Sequence, residues 1–385
     1  MGIIKRVALG ACAAFITIAM ILSPVSAENA GDAYSKEYKD MLDAIPDDVA
    51  ELLPDEIYSN DPADMAEGAS KLTDFGYIIE KVLSALGLEL HGALKLLASL
   101  LGILILSAIM NAVKSSFRSS GIGEIFSMCA STGVFLVAVG AQYGIISSVA
   151  SFFTRICGFA NAMLPLMGAL YAMGGNVASA VANHSSLMIF MSIVENFCAK
   201  TVVPVSGVCI AFAASSALFS EINLGGLSGS FKKLYTNTLT FMMIVFGTVM
   251  SAQNLLASKA DTLAGKTAKF AMGNLVPVVG SALAGTLGTV STSIEYIRSS
   301  VGVIGIIAVA LMLLPTVATL LMTKLVLSLA SGAAEILGCG KEGRMIGEMS
   351  GINGFLLAAS CVCSVAFIFM LTLFAKCSSA VGGGI

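Results

Sequence analysis

The chain has 385 residues, of which 57% are hydrophobic and 12% are charged, and its formal net charge is −3. Soluble domains are typically about half apolar and about a quarter charged, so this composition excludes a set of soluble enzyme domains and predicts an integral membrane protein. The charge is unevenly placed, because residues 28–74 contain fourteen acidic and three basic side chains and the remainder is mildly basic and very apolar.

The segment 1–27 has the pattern of a secretory signal peptide. Lys5 and Arg6 precede an uncharged apolar run over 7–22, which is followed by Pro24 and small residues. This order predicts cleavage after Ala27. The alternative is an uncleaved first span, and in both cases Glu28 lies outside the cytoplasm.

Residues 28–91 are predicted to form an acidic extracytoplasmic segment. Between 28 and 68 the chain is polar, is interrupted by three prolines and has too few apolar residues for a core of its own. From Leu72 to Leu90 apolar residues recur at helical spacing. This spacing predicts an amphipathic helix near 72–90 that lies on the membrane surface or on a partner.

Residues 92–376 are predicted to form an all-α polytopic bundle, followed by a short Gly-rich tail over 377–385. Successive apolar runs are long enough for the ~20 residues that a membrane helix needs, and they predict about eight to ten membrane segments. Small residues within them favour close helix packing. The runs cover residues 96–113, 125–153, 156–182, 185–194 with 201–220, 238–258, 271–294, 301–323, 325–334 and 352–375.

Basic residues between the runs predict the orientation of the bundle. Short basic loops are expected on the cytoplasmic side, and the chain has three of them, containing Lys114 with Arg118, Lys232 with Lys233, and Lys341 with Arg344. The region 259–269 carries three lysines and fits this scheme poorly.

Proline spacing suggests an internal repeat of about 113 residues, and repeats with Pro- and Gly-broken helices at matching positions are typical of transporters. The pattern Pro165-x-x-Gly168 recurs as Pro277-x-x-Gly280, and Pro204 recurs as Pro315 at nearly the same spacing. If all basic loops are cytoplasmic, the repeats are parallel. If the pieces around Pro204 and Pro315 are single kinked helices, Lys232 faces outward.

The sequence contains no recognisable catalytic, metal or cofactor motif. The two histidines, His91 and His184, are far apart, and no P-loop or zinc spacing occurs. None of the nine cysteines lies in the acidic segment. We therefore predict no enzyme activity, no cofactor and no nucleic-acid partner.

Charged residues inside the apolar body are the candidate functional positions, because ionisable groups at membrane depth are costly. Glu195 and Lys200 lie between two apolar pieces just before Pro204 and are candidates for a conduction or substrate path. The alternative is that both reach water at the membrane interface. Candidate conduction-path or helix-break positions are Pro165, Gly168, Pro204, Pro277, Gly280 and Pro315. The Pro165 and Pro277 pair with its nearby glycines either breaks the helices and exposes backbone carbonyls to a cavity or is a packing kink.

The segment 266–280, with the sequence KTAKFAMGNLVPVVG, resembles the signature of the stage III sporulation protein AE family, and segments 161–168 and 300–305 support the resemblance. The resemblance implies a membrane component of the complex that joins mother cell and forespore. The implied partners are the other membrane proteins of the same operon, a forespore-side protein and the lipid bilayer, in a hetero-oligomeric complex in the mother-cell membrane surrounding the forespore. It offers no established catalytic residues.

Two hypotheses follow for function. The first is a multi-pass subunit of a sporulation channel or secretion-like complex needed for forespore development. The second is a free-standing secondary transporter, a permease for a small solute, which the repeat and the broken helices favour.

Overall fold

The computed structural model describes residues 27–59, 75–114, 120–218, 225–275 and 280–377, together with Asp64, Glu67, Gly68 and Lys71. Within these residues the chain is helical and has no strand, which confirms the all-α prediction. The helices are α1 (Ala27–Asp43), α2 (Asp47–Ala50), α3 (Phe75–Lys114), α4 (Ser120–Met173), α5 (Val177–Ile193), α6 (Lys200–Leu218), α7 (Gly225–Leu275), α8 (Gly280–Ile336) and α9 (Gly340–Ala375).

The N-terminal segment packs on the membrane helices. Its apolar side chains on α1, on α2 and on the 3₁₀ turn Asp55–Tyr58 join the buried core of the main bundle, and α1 contacts α4. The Tyr38 hydroxyl donates a 2.7 Å hydrogen bond to the Ile57 carbonyl, and Arg155 of α4 pairs with Asp48 at 3.0 Å. The apolar residues that are too sparse for a separate core are therefore buried against α4.

The helix α3 is continuous for 40 residues. It joins the segment with amphipathic spacing to the first long apolar run, because no proline or turn signal separates the two. The Tyr77 hydroxyl donates to the Leu52 carbonyl. This bond fixes the polar start of α3 to the N-terminal segment.

Two tight turns with glycine in the left-handed region connect α4 to α5 and α8 to α9. Gly175 has φ 72° and Gly338 has φ 75°, a conformation in which glycine carries no Cβ penalty. The Asn176 N–H bonds the Tyr171 carbonyl, and the Cys339 N–H bonds the Ala334 carbonyl. Both bonds are typical of the Schellman ending of a helix.

In the part of the chain that the structure describes, six helices are long and apolar enough to cross a membrane: 89–113, 128–173, 177–215, 226–267, 292–336 and 340–375. Several runs that are separate in the sequence are joined into one helix. The longest of these six spans has 46 residues and measures about 69 Å at 1.5 Å per residue. It is therefore about twice as long as the ~30 Å hydrocarbon core of a bilayer.

The helix α9 lies at the centre of the bundle. It contacts α8, α7, α6 and α4, and most of its apolar side chains are buried. The ring of Phe367 on α9 lies against Phe159 of α4 and Phe190 of α5, with ring centroids 6.1 and 5.0 Å apart. The α9 helix therefore holds the other helices together.

The end of α3 and the starts of α7 and α9, which adjoin or carry the three basic regions, lie at one end of the bundle. Ser107 near the end of α3 contacts Glu342 at the start of α9, and Lys232 near the start of α7 pairs with Glu348. Two helical passes separate each basic region from the next, α4 with α5–α6 and then α7 with α8. The helices through Pro204 and Pro315 are single, but the predicted runs 125–153 and 156–182 are joined in α4 as far as Met173 and do not cross separately. The number of passes is therefore even, which agrees with the orientation in which all basic loops share one side.

The internal repeat is not confirmed. The first hairpin consists of α4 and the returning helix α5–α6. In that returning helix the π-helical segment Val194–Ala199 lies between α5 and α6. The second hairpin consists of α7 and the returning helix α8. In this hairpin α8 is a single α-helix of 57 residues that continues through Pro315. The two hairpins therefore differ where a repeat requires them to match.

Candidate functional site

A cluster of polar side chains, all buried except the half-buried Cys377, lies at the end of the bundle opposite the basic regions. We call it the Arg298 cluster, and it consists of Tyr171, Ser179, Asp261, Arg298 and Cys377. Arg298 on α8 is fully buried, and its guanidinium carbon lies 5.3 Å from the centre of the Tyr171 ring on α4. A buried guanidinium stacked on an aromatic ring is a rare and costly arrangement among membrane helices.

Asp261 of α7 caps the start of α5. Its two carboxylate oxygens accept hydrogen bonds from the N–H groups of Ala178 and Ser179, each at 2.8 Å. The first N–H groups of a helix have no partner inside the helix and attract negative charge. Asn176, which precedes the helix, makes no side-chain cap. A carboxylate from another helix therefore satisfies this end of α5 and ties it to α7.

Cys377 shares this environment. Its thiol lies 3.8 Å from the Ser179 hydroxyl. Burial raises the pKa of the Cys377 thiol, the Arg298 charge opposes that rise and the Asp261 charge adds to it. The end of α9, the start of α5 and the charged residues of α7 and α8 therefore meet at one place.

A cavity of about 260 Å³ lies between α4 and α5 beside this cluster. Tyr171 lines it together with Gly168, Asn183 and His184. Asn183 donates to the Asn254 side chain of α7 at 2.8 Å. The cavity is thus mainly apolar, with polar groups concentrated on its α5 wall.

A second buried charge, Glu342, lies at the other end of α9. Glu342 is 2% exposed and accepts hydrogen bonds from Ser131 of α4 at 2.7 Å and from Ser107 of α3 at 3.3 Å. It occupies the first turn of α9, where the helix dipole favours a negative charge. These contacts connect three helices through one carboxylate.

Between these two sites, α9 carries a row of buried polar side chains. Glu342, Asn353, Ser360 and Ser364 are all buried and lie within about 40° of one another around the helix at 3.6 residues per turn. The Asn353 amide and the two serine hydroxyls have no hydrogen-bond partner among the residues that the structure describes. These four polar side chains therefore share one face of α9 with buried apolar side chains such as Phe367 and Leu371.

The family model described as stage III sporulation protein AE matches residues 62–380. This match covers the whole membrane body.

The chain belongs to the stage III sporulation protein AE family. It is similar to the stage III sporulation protein AE of Bacillus subtilis (strain 168), with 22% identity over 300 residues, which are 78% of this chain and 73% of the relative. No solved structure matches the chain. Its family membership indicates a sporulation-related membrane protein, and the six long apolar helices among the described residues are compatible with a multi-pass arrangement.

In this family member, Glu195 and Lys200 lie on the surface. Glu195 is in the π-helical segment, pairs with Lys200 at 3.5 Å, and both side chains are about 60% exposed. Lys200 also donates to the Asn196 side chain at 2.8 Å. The structure does not bring this pair together with the buried charges, and its part in a conduction path stays a prediction.

The predicted helix-break positions differ in their place within the helices. Pro165, Pro204 and Pro315 each lie inside a continuous helix, whereas Gly168 lines the cavity beside Tyr171. Gly280 begins α8. Pro277 lies outside the described residues. Ala27 is the first residue of α1, and the predicted signal sequence before it also lies outside the described residues.

Arg298, Asp261 and Glu342 were not among the residues predicted from the sequence. Arg298 follows an apolar run and looked like part of a connection, although α8 is continuous there. Asp261 lies in the region 259–269, whose lysines did not fit the predicted orientation of the basic loops. Glu342 lies in the predicted basic loop that contains Lys341 and Arg344. The signal that could have located the cluster is Gly174-Gly175-Asn176, a turn sequence inside an otherwise apolar run.

The part of the chain that the structure describes holds no group of three His, Cys, Asp or Glu side chains that could bind a metal. The Cys198 and Cys363 sulfurs are 3.4 Å apart and fully buried between the π-helical segment and α9. These two thiols are a packing contact and not a ligand set.

Proposed function

We propose that this protein is a multi-pass membrane subunit of a sporulation-specific channel or secretion-like complex between mother cell and forespore, and that forespore development needs it. The observation that carries the proposal is the family match over residues 62–380. The other membrane proteins of the same operon and a forespore-side protein are the proposed partners. No catalytic step is assigned to this chain.

The surface of the bundle supports a role in assembly within a membrane. Large apolar side chains are exposed along its outer helices, among them Ile105, Phe241, Leu256 and Leu329. Such surfaces are stable against lipid or against other membrane helices, where association depends on packing and not on the hydrophobic effect. The protein therefore offers several faces for partner helices.

The N-terminal segment is proposed to lie outside the cytoplasm after cleavage at Ala27. Its acidic side chains Asp40, Asp43, Asp47 and Glu51 are exposed, while its apolar side chains face α4. An anionic surface of this kind steers association with a basic partner. We place this surface in the space between the mother-cell and forespore membranes, and the basic end of the bundle in the cytoplasm.

A deletion strain tests the proposal. In an endospore-forming host, loss of the gene is expected to stop development after engulfment, and the wild-type gene supplied in trans is expected to restore it. The tagged protein is expected to co-purify with the other operon products. Normal sporulation of the deletion strain, or purification of the tagged protein without those products, would contradict the proposal.

A free-standing secondary transporter is the second candidate function, and the buried polar row on α9 favours it. Ionisable and polar groups in a bundle interior mark ion and substrate pathways in many transporters. Purified protein in vesicles would then catalyse saturable solute flux that Glu342→Gln abolishes and Glu335→Gln, at an exposed position, does not. Absence of flux from the purified protein, with co-purification as above, favours the complex.

A further inference from the structure

Two ion pairs lie at the surface of the bundle, about halfway along its length. Arg155 of α4 pairs with Asp48 of the N-terminal segment at 3.0 Å, and Glu195 pairs with Lys200 between α5 and α6 at 3.5 Å. We call these four residues the charged belt. All but Arg155 have side chains that are more than half exposed. Exposed ionised groups are costly in hydrocarbon, so the hydrocarbon core of a bilayer lies on one side of the belt.

The two ion pairs are at the same level of the bundle. The thiol of Cys157, close to Arg155 on α4, donates to the Met191 carbonyl of α5 at 3.9 Å. Met191 is about one helical turn before Glu195. The charged belt therefore marks one plane across α4 and the helix formed by α5 and α6.

About one bilayer thickness separates the charged belt from the basic end of the bundle. Glu342 marks the basic end, where it accepts hydrogen bonds from Ser131 of α4 and Ser107 of α3. At 1.5 Å per residue, Arg155 lies about 36 Å from Ser131 along α4. The apolar span of α3 begins at Glu89, about 27 Å from Ser107. Both lengths are close to the ~30 Å of a hydrocarbon core.

The helix α3 indicates which side of the belt the bilayer covers. Its apolar span 89–113 lies in the half of the bundle next to the basic end, where α3 packs on α4 and α8. Large apolar side chains on this span, such as Ile105 and Ile109, are exposed. A bilayer in the other half would leave them in water.

The acidic N-terminal segment lies beside the other half. Tyr77, about 18 Å beyond Glu89 along α3, donates a hydrogen bond to the Leu52 carbonyl of this segment. Asp43 and Glu51 of the same segment are exposed. A bilayer in the other half would therefore put these carboxylates at hydrocarbon depth, which is costly.

Two lysines inside the basic half are held against α9. Lys232 pairs with Glu348 at 2.8 Å, and its Nζ lies 2.7 Å from the position that a Cβ on Gly351 would take. The Nζ of Lys324 lies 3.5 Å from the corresponding position on Gly354. The two glycines therefore let both ammonium groups lie on the backbone of α9 within the membrane half.

We propose that the lipid bilayer covers only the half of the bundle between the basic end and the charged belt, and that the half with the Arg298 cluster projects from the membrane on the extracytoplasmic side. The projecting half is about 27 Å long from Arg155 to Met173. The surface that contacts lipid consists of exposed apolar side chains of the basic half, among them Ile105, Leu136 and Leu329. The side of the projection rests on the proposed function, whereas the position of the bilayer along the bundle does not.

Tryptophan fluorescence tests the position of the bilayer, because the chain contains no tryptophan of its own. Leu136→Trp and Tyr143→Trp place one tryptophan at exposed positions of the basic half, and Val181→Trp and Leu256→Trp do so in the projecting half. Each purified full-length variant is placed in phosphatidylcholine vesicles with or without bromine on the acyl chains. Brominated chains quench a tryptophan that contacts the hydrocarbon core.

Brominated lipid is expected to remove most of the emission of Leu136→Trp and Tyr143→Trp. It is expected to leave the emission of Val181→Trp and Leu256→Trp unchanged, as in the control Asp43→Trp, which is exposed on the N-terminal segment. Equal quenching in the two halves would overturn the proposal. So would quenching confined to the projecting half, or no quenching at position 143.

A photoactivatable phospholipid gives a second readout on the unmodified protein, so the test does not depend on the folding of the variants. Mass spectrometry is expected to find the lipid attached within residues 125–147 and not within 177–191. Attachment within 177–191 would contradict the proposal. Neither measurement uses a sporulation phenotype, so failure of the proposed complex and failure of this placement are distinguishable.

Discussion

Glu342 shows how single residues hold this bundle together. Its carboxylate accepts hydrogen bonds from serines on α3 and α4 and lies in the positive first turn of α9. Asp261 acts in the same way at the start of α5. Buried acids in this protein are thus compensated by hydroxyl and N–H donors of neighbouring helices.

Replacing Glu342 tests that arrangement. Glu342→Ala is expected to lower the free energy of unfolding by about 1–3 kcal/mol, because the hydroxyls of Ser107 and Ser131 lose their acceptor. Glu342→Gln keeps one acceptor oxygen and is expected to cost less. Thermal unfolding in detergent measures both, with the exposed Glu335→Gln as control. Equal midpoints for Glu342→Ala and the control would refute the assigned role.

Replacing Asp261 tests the cap on α5. Asp261→Ala is expected to destabilise the start of α5 by about 0.5–2 kcal/mol, the usual cost of losing a cap. Asp261→Asn keeps one acceptor and is expected to lose less. Amide hydrogen exchange at residues 177–181 reports the change, and Lys259→Ala, an exposed neighbour on α7, is the control. Unchanged exchange in Asp261→Ala would show that α5 does not need this carboxylate.

At the scale of helices, glycine decides how closely α8 approaches α9. A Cβ on Gly302 would lie 2.5 Å from the Ala375 Cβ, whereas Gly332 on the same helix has open space around it. Gly302→Ala is therefore expected to lower the free energy of unfolding by about 1–3 kcal/mol. Gly332→Ala is expected to raise it by up to about 1 kcal/mol through helix propensity.

Unfolding midpoints of the two glycine variants measure this difference. Both substitutions add the same methyl group to the same helix, so the opposite signs isolate the effect of packing. A stabilising Gly302→Ala would show that α8 and α9 are further apart at this position.

The packing of the π-helical segment on α9 is tested by oxidation. Cys198 and Cys363 are 3.4 Å apart, so a mild membrane-permeable oxidant is expected to join them. Cys361 points about 200° away on the same helix and is expected to stay unpaired. Mass spectrometry of the digested protein identifies the linked peptides, and Cys198→Ser removes them. A Cys198–Cys361 link would contradict this register.

For the whole molecule, the sequence was sufficient for the fold class and the family but not for the number of helices. Charges separated the apolar runs in the sequence, yet Arg298 lies inside a continuous helix because Tyr171 and Gly174 accommodate it. Conversely, the turn at Gly175 lies in an uncharged run, because its backbone bonds are satisfied locally and need no polar side chain. Boundaries predicted from hydropathy therefore differ from the helix ends in the structure at Arg298 and at Gly175.

The candidate site was beyond sequence analysis for a related reason. Arg298, Asp261 and Tyr171 belong to three different helices and are brought together only by helix packing. Gly168 was predicted as a helix-break position, and it lies in the wall of the cavity beside the Arg298 cluster. A single sequence shows which residues are costly to bury but not which of them meet.

The central claim is a multi-pass bundle with its basic regions at one end and its acidic segment on the other side of the membrane. Single cysteines replacing Lys233, Arg344 and Asp43, all exposed, in a background without other cysteines test it directly with a membrane-impermeant maleimide. In intact cells we expect labelling at position 43 only, and labelling at 233 and 344 after permeabilisation. Labelling of 233 and 344 from opposite sides of the membrane would contradict the account.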